Sequence, residues 1–473
     1  MKTIDKITVS VLGLLLMFSC QEADTLVPTT GNDISGITIM LPDGTKSDFT
    51  VAPDANNMIK LEMDGSIKTD LTKIRMSVNA PNNAIVESSI PLGQYMDFTK
   101  PVSFDVIAAN GDKKTYTVDL KVVPTAIQVD ELWRKTGSQL NFVKHNNGGL
   151  AISGDYVVIH ERTKFDYYNL KDGTKAGTLS MEGVDWNTLT RTVPLFIAND
   201  DAGNIVSTNF YMNRWMPKDG TSTIHMFWWE GVNAKPKLLF SYDVNLDEFA
   251  GNKDVGRKFY VKGNIKEHAF LYMGVSFQNV FLRWEIKNGK PVSQQPEKIQ
   301  YDPGYQMGLM PQIVPIELGE NSNYFISRYV DKQPKVAITY MDGHTNKPLY
   351  SSSHHVQGIF HQWLGGGTAF DYVDLMGAKY MFYIEGDVNN WMREIYNVRL
   401  VMKDPAGTTT NTQLLAHTRK WNGWLEFPID PAYGSNGNTT ADVVTQIAPD
   451  KKSVIVAFLY TNSGVMVWKV SLM

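Results

Sequence analysis

The sequence predicts an all-β chain, a small N-terminal sandwich followed by a roughly six-bladed β-propeller. Three observations carry this. From residue 125 onward a turn followed by an apolar strand recurs roughly every 45 to 75 residues. About four strands fall in each interval. No segment shows the period of an amphipathic helix. The recurring segments are Ile152–Val158, Ala198–Val206, Lys266–Tyr272, Asn321–Ile326, Leu375–Met381 and Ala448–Ile455. Outer hairpin turns follow several of them, at Lys171-Asp172-Gly173, Glu230-Gly231, Lys287-Asn288-Gly289, Met341-Asp342-Gly343 and Lys403-Asp404-Pro405. The last unit holds three strands, Asp442–Gln446, Val454–Tyr460 and Val465–Leu472. Glu131–Lys135, just before the first unit, is expected to supply the missing outer strand and close the ring, which leaves no long open edge.

Before residue 125, short β-type runs at Gly36–Leu41, Met58–Met63, Lys73–Val78 and Ala84–Ile90 are separated by turn residues. The clearest hairpin joins Val102–Val106 to Tyr116–Val122 through Asn110-Gly111-Asp112. Both strands alternate apolar with polar, so one face is buried and the other wet. Such strands suit a small antiparallel sandwich. Pro124 marks the boundary, giving a sandwich over 35–124 and a propeller over 125–473.

Composition narrows the function. The 473 residues carry 45 basic and 49 acidic side chains, a net charge of -4, which offers no basic face to nucleic acid. A single cysteine excludes internal disulfides, thiolate clusters and redox pairs. That cysteine ends an address label. Lys2 and Lys6 precede the apolar run Ile7–Phe18, too short to span a membrane but of the length of a secretory signal core. The run ends in Leu16-Met17-Phe18-Ser19-Cys20, which resembles a bacterial lipobox. The resemblance implies a signal peptide over 1–19 and lipidation of Cys20. Gln21-Glu22-Ala23-Asp24 is similar to the acidic signal that exports Bacteroidetes lipoproteins to the outer face of the outer membrane. Residues 20–34 then read as lipidated cysteine and flexible tether, rich in Thr, Asp, Gly and Asn.

Propeller topology sorts the loops. Connections between blades, and those joining the second strand of a blade to the third, open at one end of the ring. In this chain they are long and aromatic. Trp186 and Trp363 lie between blades, Trp215 and Trp391 in second-to-third connections, and Trp421 and Trp424 between the fifth and sixth units. An exposed indole matches the C–H face of a sugar ring, and amides beside it reach hydroxyls. Asn213, Arg214 and Asn390 stand beside these rings and complete the candidate ligand-binding set with Trp186, Trp215, Trp391, Trp421 and Trp424. Trp133, Trp228, Trp229, Trp284 and Trp468 fall in strands and are assigned to packing.

Catalytic signals are thin. Glycosidases use two positioned carboxylates, and no spacing selects a pair from Asp185, Asp374, Glu385, Asp387, Glu394 and Glu426. Asp200-Asp201-Ala202-Gly203-Asn204 has the look of a calcium loop but lacks the full ligand series, and is read as a turn. His354, His355 and His361 share one connection without a metal-ligand spacing. No catalytic residue, metal or cofactor is assigned.

The segment "PVSFDVIAANGDKKTYTVDLKVV" resembles the Ig-like spacer domains that follow the lipid anchor in Bacteroidetes surface glycan-binding lipoproteins. With anchor and propeller it resembles the lipoproteins encoded in polysaccharide utilisation loci at the position of starch-utilisation-system (SusE/SusF) glycan binders. The resemblance implies an outer-membrane, lipid-anchored, noncatalytic surface protein. Such a protein binds a polysaccharide and hands it to a SusC/SusD-like transporter working with a surface glycan hydrolase. A fructan such as levan is one candidate, and the residues do not select the sugar. A surface hydrolase or lyase and a protein-binding adhesion scaffold are the alternatives.

Overall fold

The computed structural model describes residues 30–473 apart from 126, 162–163, 186–194, 210–222, 245–253, 306, 331–334, 352–367, 387–392, 401–416, 421–429, 431 and 433–439. Among the described residues the chain is all-β. It divides into two compact units, Met1–Val123 and Pro124–Met473.

Unit 1 contains β1 (Gly36–Met40), β2 (Lys46–Thr50), β3 (Met58–Gly65), β4 (Ile74–Asn79), β5 (Ile85–Ser88), β6 (Tyr95–Met96), β7 (Val102–Ile107) and β8 (Lys113–Pro124). One sheet has the order β2-β1-β4-β6 and the other β3-β8-β7-β5. Alternation fixes which face is buried. In β3, Ile59, Leu61 and Met63 point inward while Lys60, Glu62 and Asp64 stay exposed. They meet Ile37, Ile39, Ile74 and Met76 of the first sheet and Phe104, Tyr116 and Val118 of their own in a single core. The β7–β8 hairpin turns where Ala108 N donates to Asp112 O at 2.9 Å, and Gly111 takes φ +90° there.

Unit 2 opens with β9 (Ile127–Thr136), after which the described residues form six sheets in chain order. The first holds β10 (Leu150–Ser153), β11 (Tyr156–Glu161), β12 (Lys164–Asn169) and β13 (Lys175–Thr178). The second holds β14 (Leu195–Asn199), β15 (Ile205–Asn209), β16 (Thr223–Trp229) and β17 (Lys237–Asp243). The third holds β18 (Val255–Asn264), β19 (His268–Val275) and β20 (Val280–Lys287), with its outer edge shared by β21 (Lys290–Pro291) and β22 (Glu297–Gln300). The fourth holds β23 (Ile313–Pro315), β24 (Tyr324–Val330), β25 (Lys335–Met341) and β26 (Pro348–Ser351). The fifth holds β27 (Thr368–Leu375), β28 (Ala378–Gly386), β29 (Arg393–Leu400) and β30 (His417–Lys420). The sixth holds β31 (Ala441–Ile447), β32 (Ser453–Tyr460) and β33 (Gly464–Leu472).

The fourth strand of the sixth sheet is β9. It pairs antiparallel with β33 from Ile127↔Leu472 to Thr136↔Gly464. The innermost strands β10, β14, β18, β23, β27 and β31 neighbour one another in that order, and β31 neighbours β10, so the sheets form a propeller-like ring. The five strand tryptophans are packing residues. Trp133, Trp228, Trp229, Trp284 and Trp468 are all buried, and Trp284 stacks on Phe240 with centroids 4.8 Å apart.

Two ends follow from this topology. The turns between first and second strands of each sheet lie at one end, the turn end. The connections from second to third strands, and from each sheet to the next, leave from the other, the loop end. Ile127 enters at the turn end, beside Leu472.

Candidate functional site

The ring brings polar side chains from distant parts of the sequence to its axis. The innermost strands belong to separate sheets, so side chains tie them together. Asn199, at the end of β14, accepts from Ile152 N of β10 at 2.9 Å and donates to Thr445 O of β31 at 3.3 Å. Gln312 exchanges two hydrogen bonds with the backbone of Phe370 in β27. Asp200 accepts from Ile265 N at 2.8 Å and from Asn204 N and Ala202 N in its own turn. The segment Asp200–Asn204 is thus the β14–β15 turn, and its carboxylate is engaged by backbone amides. Among the described residues no group of His, Cys, Asp and Glu is arranged to hold a metal ion.

Side chains of strand β18 reach partners beyond the neighbouring sheets. Its Tyr260 hydroxyl donates to Asp371 Oδ1 of β27 at 3.0 Å, and Lys258 Nζ forms an ion pair with Asp442 of β31. Both partners lie across the ring, beyond the neighbouring sheets. Asp371 also accepts from Thr445 N at 2.7 Å and Thr445 Oγ1 at 2.8 Å, and Asp442 from Leu150 N at 2.7 Å. What space remains between Arg257, Lys258, Tyr260, Asp371, Asp442 and Thr445 is a cavity of about 30 Å³. That holds a water and excludes a sugar ring.

A bulge explains how β18 reaches so far. Val255 lies opposite Val275 and Phe259 opposite Met273, so four steps along β18 face two along β19. Gly256, at φ +92°, absorbs the turn. The surplus residues Arg257 and Lys258 are thereby re-aimed toward the axis, a common use of bulges beside functional sites. Arg257 Nε donates to Asp254 Oδ2 at 2.9 Å, and both side chains are nearly buried.

Burial sets the electrostatics. It raises the Asp371 carboxyl to about 6, against the hydrogen bonds from Thr445 and Tyr260 that favour the charged form. Burial likewise raises Asp442, offset in part by the Lys258 ammonium, and pushes the Tyr260 phenol well above its ordinary range. The ordinary carboxyl value is 3.8, so between it and about 6 the folded chain binds the Asp371 proton more tightly than the unfolded chain does. The stabilisation is fully present below the lower value and is lost as pH rises through the upper, by up to about 3 kcal/mol. Thermal unfolding at pH 5.0 and 7.5 is therefore expected to show a decline with pH that flattens in Asp371→Asn. Equal slopes in the two proteins would remove Asp371 as its source.

Every residue of the predicted ligand-binding set, Trp186, Asn213, Arg214, Trp215, Asn390, Trp391, Trp421 and Trp424, lies outside the described residues, as do Cys20, Trp363 and His354, His355 and His361. In the sequence, residues 186–194 fall between β13 and β14, 210–222 between β15 and β16, 387–392 between β28 and β29, and 421–429 between β30 and β31. Sequence reasoning missed the axial residues. The one local signal was Gly256 interrupting an otherwise apolar and basic strand run.

A family model described as a domain of unknown function, DUF8500, matches residues 136–468. The chain belongs to the DUF8500 family. The DUF8500 match runs from the last residue of β9 into β33, and so spans the ring. No curated protein matches the chain. Among solved structures, a DUF4623 family protein from Bacteroides eggerthii shares 15% identity at a TM-score of 0.50, covering 93% of this chain and 98% of that one. The likeness is one of fold. An α-L-arabinofuranosidase from Fusarium graminearum, solved with an iminosugar inhibitor, shares 11% identity at a TM-score of 0.42, covering 74% of this chain and 98% of its own. An α-L-arabinanase from Penicillium chrysogenum, complexed with arabinobiose, shares 10% at 0.41, covering 74% and 99%.

Proposed function

We propose that this DUF8500 protein is a noncatalytic glycan-binding lipoprotein of the cell surface. In this reading Cys20 carries the lipid anchor in the outer membrane and residues 35–124 form an Ig-like spacer. Residues 125–473 form a six-bladed β-propeller whose loop end binds a polysaccharide. The bound chain passes to a SusC/SusD-like transporter and its surface hydrolase.

The observation that carries this reading is the distribution of tryptophans between the two classes of position. Those in strands are buried and packed. In this reading those of the candidate set, which fall in sequence between strands, present the binding face. Loops on a rigid ring are where recognition groups sit. Two features support a noncatalytic role. The axial carboxylates Asp371 and Asp442 are taken up in bonds between innermost strands. The cavity they line is also too small for a sugar. Several aromatic platforms favour long chains, because weak contacts add through high effective concentration.

Affinity gel electrophoresis of the chain from Gln21 onward, against a panel of polysaccharides, tests this. One glycan is expected to retard wild type, and Trp215→Ala and Trp391→Ala to weaken retention about ten-fold or more each, the scale of one lost aromatic–sugar stacking contact. Retention that is unchanged in both variants would move the ligand off this end of the ring.

A further inference from the structure

We infer that the outer rim of the third sheet carries a second carbohydrate subsite, a pocket for a neutral, hydroxyl-rich sugar. The inference rests on the glycan-binding reading above and adds a further contact on the same polysaccharide.

The pocket follows from how this sheet ends. Its outer edge is shared by β21 and β22, and residues 292–296 join the two without a place in the sheet. A cavity of about 420 Å³ opens there, between β20, the joining segment and Glu320 of the β23–β24 turn. Small-molecule sites occupy roughly 300–1,000 Å³. A ligand has access from solvent, because the side chains of Val292, Glu297 and Glu320 on its walls are each more than half exposed.

The walls are held in place by the protein itself. Trp284 Nε1 donates to Gln294 O at 3.2 Å and Val292 N to Glu285 O at 2.8 Å, which pins the joining segment to β20. Arg283, at the base, retains only 8% of its side-chain exposure. It donates through Nε to Glu297 Oε2 at 3.1 Å and through Nη1 to the Glu320 carbonyl, and its guanidinium lies 5.3 Å from the centre of the Phe270 ring. A pocket fixed in this way spares a ligand the cost of ordering it.

Charge and hydrogen-bonding role select the ligand. Glu285, Glu297 and Glu320 line the cavity, and each already faces a cation, Lys287 at 2.7 Å from Glu285 and Arg283 beside the other two. An anionic sugar would meet three carboxylates at close range. A cationic one would compete with Arg283 and Lys287, already in place. Sugar hydroxyls meet neither cost. They donate to the carboxylate oxygens, which only accept, while Ser293 and Gln295 on the same wall both donate and accept. Val292 and Pro296 offer apolar surface to the C–H groups of a ring. A contact here and another at the tryptophan connections would reinforce each other on one long chain.

The test runs the chain from Gln21 onward in gels containing levan, arabinan, dextran, the cationic DEAE-dextran or polygalacturonate. Beside wild type stand Trp215→Ala, Gln295→Ala combined with Glu320→Ala, and Ser293→Tyr. The double variant removes hydrogen-bonding groups from the walls, and Ser293→Tyr fills the space. Ser293, Gln295 and Glu320 are exposed, so both rim variants are expected to unfold at the wild-type temperature. A neutral polysaccharide is expected to retard wild type, and to hold each rim variant about ten-fold more weakly. Full-strength retention of both rim variants, with Trp215→Ala weakened, would overturn the rim subsite and leave the glycan-binding reading standing. Weakened retention only in a variant whose unfolding temperature has dropped would overturn it too, since the loss would then be one of folding. Retardation by DEAE-dextran or polygalacturonate alone would overturn the neutral class, and no retardation of wild type in any gel would overturn both readings.

Discussion

Removing Ile127–Thr136 is expected to abolish cooperative unfolding of residues 124–473, because those ten residues complete the last sheet of the ring. Without them β33 becomes an open edge of nine residues with its backbone groups unpaired. Trp133 also leaves the core it shares with Leu150, Val157 and Val467, along with its hydrogen bond to Leu170 O at 3.0 Å. A single substitution probes the same seam. Gly464 faces Thr136 at φ +144°, and a Cβ there would overlap the Lys135 carbonyl oxygen. Gly464→Ala is expected to cost several kcal/mol, about the scale of other core overpacking and backbone-strain effects added together. Calorimetry of the deletion should show no cooperative transition for unit 2, and a normal transition would refute closure by β9.

Lys258→Met is expected to destabilise the chain by about 3–5 kcal/mol, the cost of leaving one member of a buried ion pair uncompensated. Lys258 and Asp442 retain only 7% and 8% of their side-chain exposure. With the ammonium gone, Asp442 keeps only backbone donors, Leu150 N at 2.7 Å and Val443 N at 3.1 Å. Burial then raises its carboxyl against those two backbone donors alone, so the loss should shrink as pH falls and the acid takes up a proton. Lys258→Met combined with Asp442→Asn removes both charges and keeps an oxygen for Leu150 N. It should recover most of the stability. Denaturant titration of the single and double variants decides the matter, and a single variant within about 1 kcal/mol of wild type would contradict a structural role for the pair.

Much of the fold was legible because its signals are local. Each of the six turn-and-strand segments read from the sequence lies at the hairpin between the first and second strands of a sheet. Gly154, Gly203 and Gly377 sit at positive φ in such turns, which is why turn chemistry marked them. The strands that escaped notice had weak patterns. β2 is Lys-Ser-Asp-Phe-Thr, largely exposed at a sheet edge, and β6 is two residues long. The axial bonds were beyond reach for a different reason. Tyr260 and Asp371 are 111 residues apart, and Lys258 and Asp442 are 184 apart, so only the closed ring brings them together. The candidate tryptophans were legible by residue type and connection alone.

The most direct measurement incubates the chain from Gln21 onward with mixed polysaccharides and follows two readouts on the same sample, retardation in glycan-containing gels and release of reducing ends. Retardation by a glycan with no new reducing ends is the predicted result. New reducing ends would make the protein a hydrolase or lyase on the same scaffold. Neither retardation nor new ends would leave the loop end without a sugar to bind.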